Sequence, residues 1–274
     1  MLQEPRWLPR AEGSVRLRLG RGACGSKLDV LHQAGAARVR FPRCAANAPL
    51  EAVLINTAGG LTGGDRFDID VGLAAGVEAT VTTAAAEKIY RARDTQAAVV
   101  AITLGLAAGA SLAWLPQPTI VYNDARLDRR TEVELAGEGR LLALEMLIFG
   151  RAAMGEVLEG GRLNDAWRVR RAGVLLFAES LRLEGAIAEH LDRPAVAAGA
   201  RAAALLLYVA ADAASRLAEV RVRLEAGPLC AGASSWNGML VVRALAADGA
   251  ALQKHMGPLV EWLSARALPR LWRC

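Results

Sequence analysis

The sequence predicts an all-β protein with few helices, organised as one domain over residues 1–274, with its helical segments toward the C-terminus. Three observations lead there. Short runs with apolar and polar residues alternating at a period of two recur from Ser14 to about Leu135. Glycine and proline clusters separate them, and the clearest apolar stripe at helical spacing comes only after Asp248.

Val15, Leu17 and Leu19 alternate with Arg16 and Arg18, and residues 51–55 form a second strand-like run. Residues 66–73 alternate as a half-buried strand does. Residues 77–83 are rich in Val and Thr, residues 97–104 hold Val99, Val100 and Ile102, and residues 131–135 alternate again. Turn signals fall at 20–25, 59–64, 105–109 and 116–118. Strands at this spacing, without helices between them, argue for an all-β core rather than an α/β sheet. The style continues through 166–170 and 174–177. Residues 211–224 have helical composition, with Leu217, Val220 and Leu224 at spacings of three and four, although 220–224 reads equally as a strand. Residues 248–267 make the better helix, with Asp248 as cap and Leu252, Met256, Leu259 and Leu263 as its apolar stripe. Gly257-Pro258 is expected to break or kink it.

With 53% hydrophobic and 22% charged residues, the 274-residue chain can bury a substantial core. The net charge of +5 is spread along the chain, and only 5% of residues are aromatic, which argues against a nucleic-acid surface. Residues 1–7 hold no apolar stretch or small-residue cleavage site, so no secretion signal is expected. The best membrane candidate, residues 195–214, carries Arg201 and Asp212 and reads better as buried structure. Cys24, Cys44, Cys230 and Cys274 are dispersed, as are His32, His190 and His255, so the chain is expected to be cytoplasmic and to hold no tight metal site.

Gly20-Arg21-Gly22-Ala23-Cys24-Gly25 matches a dinucleotide fingerprint letter for letter, but no helix and no ribose-binding acid follow, so a hairpin turn is expected. Gly232-Ala233-Ser234-Ser235-Trp236 lacks the closing glycine of a nucleophile elbow. Pro116-Gln117-Pro118 suits an edge or a loop. Glu145 stands inside the apolar run 141–149. A buried carboxylate costs several kcal/mol unless it is paired or protonated. Either Arg151, Lys88 or Arg91 pairs with it, or it faces a wet passage where it touches a weakly held cation.

The most distinctive stretch is Asn56-Thr57-Ala58-Gly59-Gly60-Leu61-Thr62-Gly63-Gly64-Asp65, a tight turn presenting one fixed carboxylate. Downstream come Thr82-Thr83, then Lys88-Ile89-Tyr90-Arg91, then 116–122, then Glu145, Phe149-Gly150-Arg151 and Gly155-Glu156. Together these resemble the signature of the urease accessory protein family UreD, also called UreH. In one place the chain departs from the family's usual Thr-Thr-Gln-Ala, with Ala84 standing where the glutamine would be.

The resemblance implies a β-helix with irregular coils, which periodicity alone would not separate from a sandwich or a barrel. It implies a non-enzymatic maturation factor, a chaperone of metallocentre assembly. Such a factor docks on urease apoprotein and works with UreF and the GTPase UreG to convey nickel, held only transiently, through an internal channel. Asp65, Glu145 and Glu156 fall at acidic positions of that pattern and are the candidates for contact with nickel. Lys88, Tyr90 and Arg91 are candidates for holding those acids in place, and Arg151 belongs with them and the glycines and threonines to the structural motif. The rival reading is a β-helix carbohydrate-active enzyme or sugar-binding module, using Asp65 and Glu145 as paired carboxylates.

Overall fold

The computed structural model describes residues 10–22, 25–43, 49–151 and 154–272. Its strands divide between two main sheets that the chain visits in turn. A hairpin, β1 (Glu12–Gly22) and β2 (Gly25–Gly35), opens the first sheet, so the Gly20–Gly25 motif is a hairpin end. The chain then crosses to the second sheet for β3 (Ala37–Arg40) and β4 (Leu50–Asn56). From there it coils. It returns for β5 (Arg66–Leu73), crosses for β6 (Glu78–Thr83) and β7 (Glu87–Ile89), and returns for β8 (Ala98–Leu106). It crosses again for β9 (Ser111–Leu115) and β10 (Thr119–Val121), returns for β11 (Arg126–Leu135), crosses for β12 (Arg140–Phe149), and returns for β13 (Arg162–Arg171).

Each strand pairs in parallel with its counterpart one coil away: β4 with β6, β6 with β9 and β9 with β12 on one wall, and β1, β5, β8, β11 and β13 on the other. Parallel partners reached only after a visit to the opposite sheet make a β-helix. A narrow third wall closes each coil, where Leu61 bridges Ile89, β7 pairs β10, and β10 pairs the end of β12.

The remainder caps this solenoid. β14 (Val174–Glu184) folds back on β13, and the short helix α1 (Ile187–Asp192), which the sequence pattern did not signal, leads to β15 (Ala202–Val209) beside β12. Residues 195–214 thus supply a buried strand, and among the described residues no helix is long and apolar enough to cross a membrane. Helix α2 (Ala213–Glu225) settles the ambiguity at 220–224 in favour of helix, and a last hairpin, β16 (Cys230–Trp236) and β17 (Met239–Ala246), extends the second sheet.

Helix α3 (Gly249–Ser264) starts where expected, with the Asp248 carboxylate accepting the Ala251 amide at 2.7 Å. It runs unbroken through Pro258, contrary to the expected break. A mid-helix proline costs about 3 kcal/mol. Burial of Leu252, Met256, Leu259, Val260 and Leu263 offsets that cost, because this helix covers the outer face of the second sheet. Two cores result, one inside the coils and one between that outer face and α2 and α3. β12 lies between both, which explains the uninterrupted apolar run around Glu145.

Candidate functional site

The third wall gathers the motifs that stand far apart in sequence. Leu61 bridges Ile89, Ile89 pairs with Val121, and Val121 pairs with Phe149, so one buried apolar ladder runs through four coils. These rungs recur roughly every 30 residues, within the period expected of a solenoid. The Gly turn and the segments around 89, 121 and 149 are therefore consecutive rungs of one wall.

On its outward side Tyr90 meets Tyr122 edge-on at 5.1 Å, and the Arg151 guanidinium lies 4.4 Å from the Tyr122 ring centre. The Tyr90 hydroxyl donates to the Gly59 carbonyl at 3.1 Å. Gly60 has a φ of 150°, and a β-carbon there would lie 2.3 Å from the Tyr90 ring and 2.8 Å from the Lys88 carbonyl. Only glycine lets the turn dock on the next rung. The buried Asp65 carboxylate accepts from the amides of Thr62 and Ala11, both at 2.8 Å, and so locks the turn. Glu156 pairs with Arg151 at 2.9 Å and accepts from the Asn123 amide, and the Arg151 bond holds it below the usual carboxylate range.

Thr82 and Thr83 serve the scaffold. The Thr83 hydroxyl accepts the Gln117 amide at 2.9 Å and donates to the Ala85 carbonyl. The Thr82 hydroxyl accepts from the Trp272 indole at 3.3 Å, tying the C-terminal turn to β6.

Inside the coils, inward-facing positions of the two main sheets carry charge. Arg129 on β11 is gripped by Asp165 of β13, with Nε to Oδ1 at 3.1 Å and Nη2 to Oδ2 at 2.5 Å. Its Nη2 also lies 2.6 Å from Glu145 Oε1, and its Nη1 donates to the Thr119 hydroxyl at 2.9 Å. The Trp167 indole donates to Glu145 Oε2 at 2.7 Å. One coil earlier Glu87 accepts from the Asn56 side chain at 3.1 Å and adds its field to Arg129.

Two carboxylates thus share one guanidinium in a low-dielectric interior, within the field of a third. Burial pushes Glu145 up to about 8, against the opposing pull of Arg129. Burial likewise raises Glu87. Arg129 goes the other way: burial would lower it, but Asp165 and Glu145 together hold it above its ordinary value.

The partners suggested for Glu145 are therefore corrected: it pairs with Arg129. Arg151 and Arg91 lie on the outward side, where Arg91 pairs with Asp124 at 3.3 Å. Lys88 contributes its carbonyl, which accepts the Leu61 amide at 2.7 Å. Asp65, Glu145 and Glu156 belong to three separate networks, and among the described residues no group of His, Cys, Asp or Glu is placed to hold a metal ion. Asp65 is taken up by the turn amides and Glu145 by Arg129 and Trp167, so each of the two carboxylates of the rival reading serves a contact of its own. Cys230 is exposed, and the other three cysteines lie outside the described residues.

The residues that the motifs did not disclose are Arg129, Asp165, Trp167 and Glu87. A signal was present: Leu127, Arg129, Thr131, Val133 and Leu135 share one parity on β11, as do Leu163, Asp165, Trp167 and Val169 on β13. A charged residue at an otherwise apolar parity marks an interior charge.

The polar interior reaches a cavity toward each end. One of about 350 Å³, between the last coil and the closing strands, is lined by Glu145, Asp165, Trp167, Leu205, Glu179 and Arg243. The other, about 170 Å³, is lined by Asn56, Glu87, Leu54, Thr83, Ala84 and Lys88, so the position where the chain departs from the usual glutamine borders it.

Fold and site together define an irregular β-helix protein with an acid-bearing interior and a motif-bearing narrow wall. The chain belongs to the UreD family: the family described as UreD urease accessory protein matches residues 11–273. The urease accessory protein UreD of Methylobacterium sp. (strain 4-46) is 46% identical over 270 residues, covering 96% of this chain and 95% of its own length. Its namesake in Azorhizobium caulinodans is 45% identical over 263 residues, covering 96% of each chain. That of Rhodopseudomonas palustris (strain HaA2) is 44% identical over 263 residues, covering 96% of this chain and 93% of its own. Family membership gives the chain a role in urease maturation.

Proposed function

We propose that this chain docks on urease apoprotein in the cytoplasm and, with UreF and the GTPase UreG, passes nickel toward the urease active site through the interior of its β-helix. The observation that carries this reading is the set of interior carboxylates, buried Glu145 and Asp165 bordering one cavity and half-buried Glu87 bordering the other. A structural ion pair needs one acid per base, whereas here two acids contact one arginine and a third, Glu87, adds its field. The surplus charge suits a passing divalent cation.

The Thr131 hydroxyl, one inward position beyond Arg129, has no hydrogen-bond partner among the described residues and is available to a hydrated ion. Oxygen donors with no thiolate or imidazole among them bind nickel weakly and release it readily, as a conduit requires. Asp65 and Glu156 hold the wall in shape around this path.

The test is Glu145→Gln, which keeps the size of the side chain and an acceptor for the Trp167 indole. Co-expressed with urease and its accessory proteins, the variant is expected to yield the accessory complex at wild-type recovery and urease with less nickel per active site. Normal nickel content with full recovery overturns the transfer role.

A further inference from the structure

The larger cavity opens along a seam between β14, the edge strand of the first sheet, and the β16–β17 hairpin that ends the second. Two side-chain contacts span that seam. The ring of Phe177 on β14 meets that of Trp236 on β16 at 6.4 Å, and Arg243 of β17 pairs with Glu179 of β14 through its Nε at 2.9 Å and also through its Nη2. The ion pair occupies positions that the pattern reserves for apolar side chains. Met239, Val241, Arg243 and Leu245 share the inward parity of β17, and Phe177, Glu179, Leu181 and Leu183 share that of β14.

The register fixes what the pair faces. Glu145 lies opposite Leu205, and Leu205 lies opposite Arg243, so Glu145 and Arg243 stand in one cross-strand row on the inward face. Two strand spacings put them roughly 10 Å apart. On the facing sheet Glu179 lies opposite Trp167, the residue that donates to Glu145. Both members of the pair line the cavity that Glu145 and Asp165 border. Their side chains are 55% and 25% exposed, so the pair straddles the boundary between the cavity and solvent.

We propose that the Arg243–Glu179 pair is an electrostatic gate on the seam mouth of the interior path, with Arg243 as the bar and Glu179 as the carboxylate that receives a divalent cation when Arg243 swings outward. The gate rests on the interior passage proposed above. Closed, the mouth presents a guanidinium whose charge repels a cation in a confined, low-dielectric opening. Its carboxylate is then occupied. With Arg243 turned to solvent, Glu179 is the first acid on a line leading to Glu145 and Asp165. Arg243 acts through Glu179 and is the positioning residue, while Glu179 contacts the cargo.

The two halves of the pair make opposite predictions, which a merely structural bridge would not. The full-length chain is mixed with Ni²⁺ in a stopped-flow instrument, and quenching of Trp167 fluorescence is followed. The Trp167 signal is identified by its loss in Trp167→Phe among the 6 tryptophans of the chain. Arg243→Gln is expected to speed quenching of Trp167 about tenfold, because the repelling charge is gone. Glu179→Gln is expected to slow it severalfold, because Arg243 then stands at the mouth uncompensated. Circular dichroism melts establish that each variant is folded.

Equal acceleration by both substitutions means a loosened seam and overturns the gate, as do unchanged rates in both. If Ni²⁺ fails to quench Trp167 even in Arg243→Gln, the interior passage itself fails and the gate with it. That outcome is separate from a passage that works without a gate here.

Discussion

The outer face of the narrow wall and the interior enclosed by the two main sheets belong to the same coils, yet they hold charge in different ways. Outside, each charge has its own partner and water nearby: Arg151 with Glu156, Arg91 with Asp124. Inside, Arg129 is shared by Glu145 and Asp165, with Glu87 adding its field, and all are deeply buried or nearly so. Outer pairs fasten one loop to the next rung. The inner set cannot be neutral while all its carboxylates are ionised, so it holds a proton or attracts a cation. The narrow wall's outer face thus holds charges paired one to one, while the interior holds them out of balance.

The sharpest way to break this contrast is to remove the shared base. Arg129→Leu leaves Glu145 and Asp165 buried without a counter-charge, at an expected cost of about 3–5 kcal/mol in unfolding free energy. Chemical denaturation checks the magnitude, and pH checks the cause. Burial already pushes Glu145 up to about 8 from an ordinary value of 4.5. The native state therefore binds more protons than the unfolded chain between those values, and stability falls as pH rises through that window. Without Arg129 the fall steepens, so the variant is expected to be closest to wild type near pH 5 and furthest from it near pH 8. A loss of stability independent of pH would show that Arg129 matters for packing rather than charge.

A smaller effect is expected from the turn that carries the outer wall. Gly60→Val adds a branched side chain at a φ of 150°, against the Tyr90 ring and the Lys88 carbonyl. Backbone strain of this kind costs about 1–3 kcal/mol. Gly63 is held by space, since its φ is ordinary but a β-carbon would lie 2.4 Å from the Gln96 carbonyl. Gly59, with nothing within 4 Å, is held by its φ of 77° alone. Gly60→Val is expected to lower the thermal midpoint and partner recovery together, while Gly59→Ala costs less. Equal losses at the two positions would mean that the close approach to Tyr90 is unimportant.

These two regions also differ in how far the sequence disclosed them. The outer wall was legible because its constraints fall on glycine and tyrosine within short segments, where each residue's reason is local. The strands were legible from their period of two, and the β-helix followed from the family resemblance, since no short-range signal says which strands stack. The inner network was only half legible. Glu145 stood out against an apolar run, but Arg129 and Asp165 sit among other charges, Arg126 to Glu134 and Arg162 to Arg171, where parity alone marks them as inward. Their pairing joins strands three walls apart in the chain and depends on the coil register. Pro258 was misread for a related reason, because its local cost is outweighed by contacts its own segment does not contain.

The smallest expected effect lies at the outer rim, and it tests whether that side is merely fastened. Arg151→Ala removes an ion pair with Glu156 and a stacking contact with Tyr122. Arg151 is solvent-exposed, so water screens both the ion pair and the ring contact and little stability rests on either. Glu156 keeps the Asn123 and Arg151 backbone amides as donors, so no buried charge is stranded. With the guanidinium gone, the Glu156 carboxyl is expected to titrate closer to its usual range, because the Arg151 bond is the main cause of its lowering. The sign follows directly: the lowered native value stabilises the fold above the ordinary carboxylate range and loses that contribution as pH falls, opposite to Glu145. A near-neutral stability change at pH 7, with an upward shift of Glu156 by carbon-13 NMR, is the expected pair of results. A loss comparable to that of Arg129→Leu would erase the distinction between the outer face and the interior.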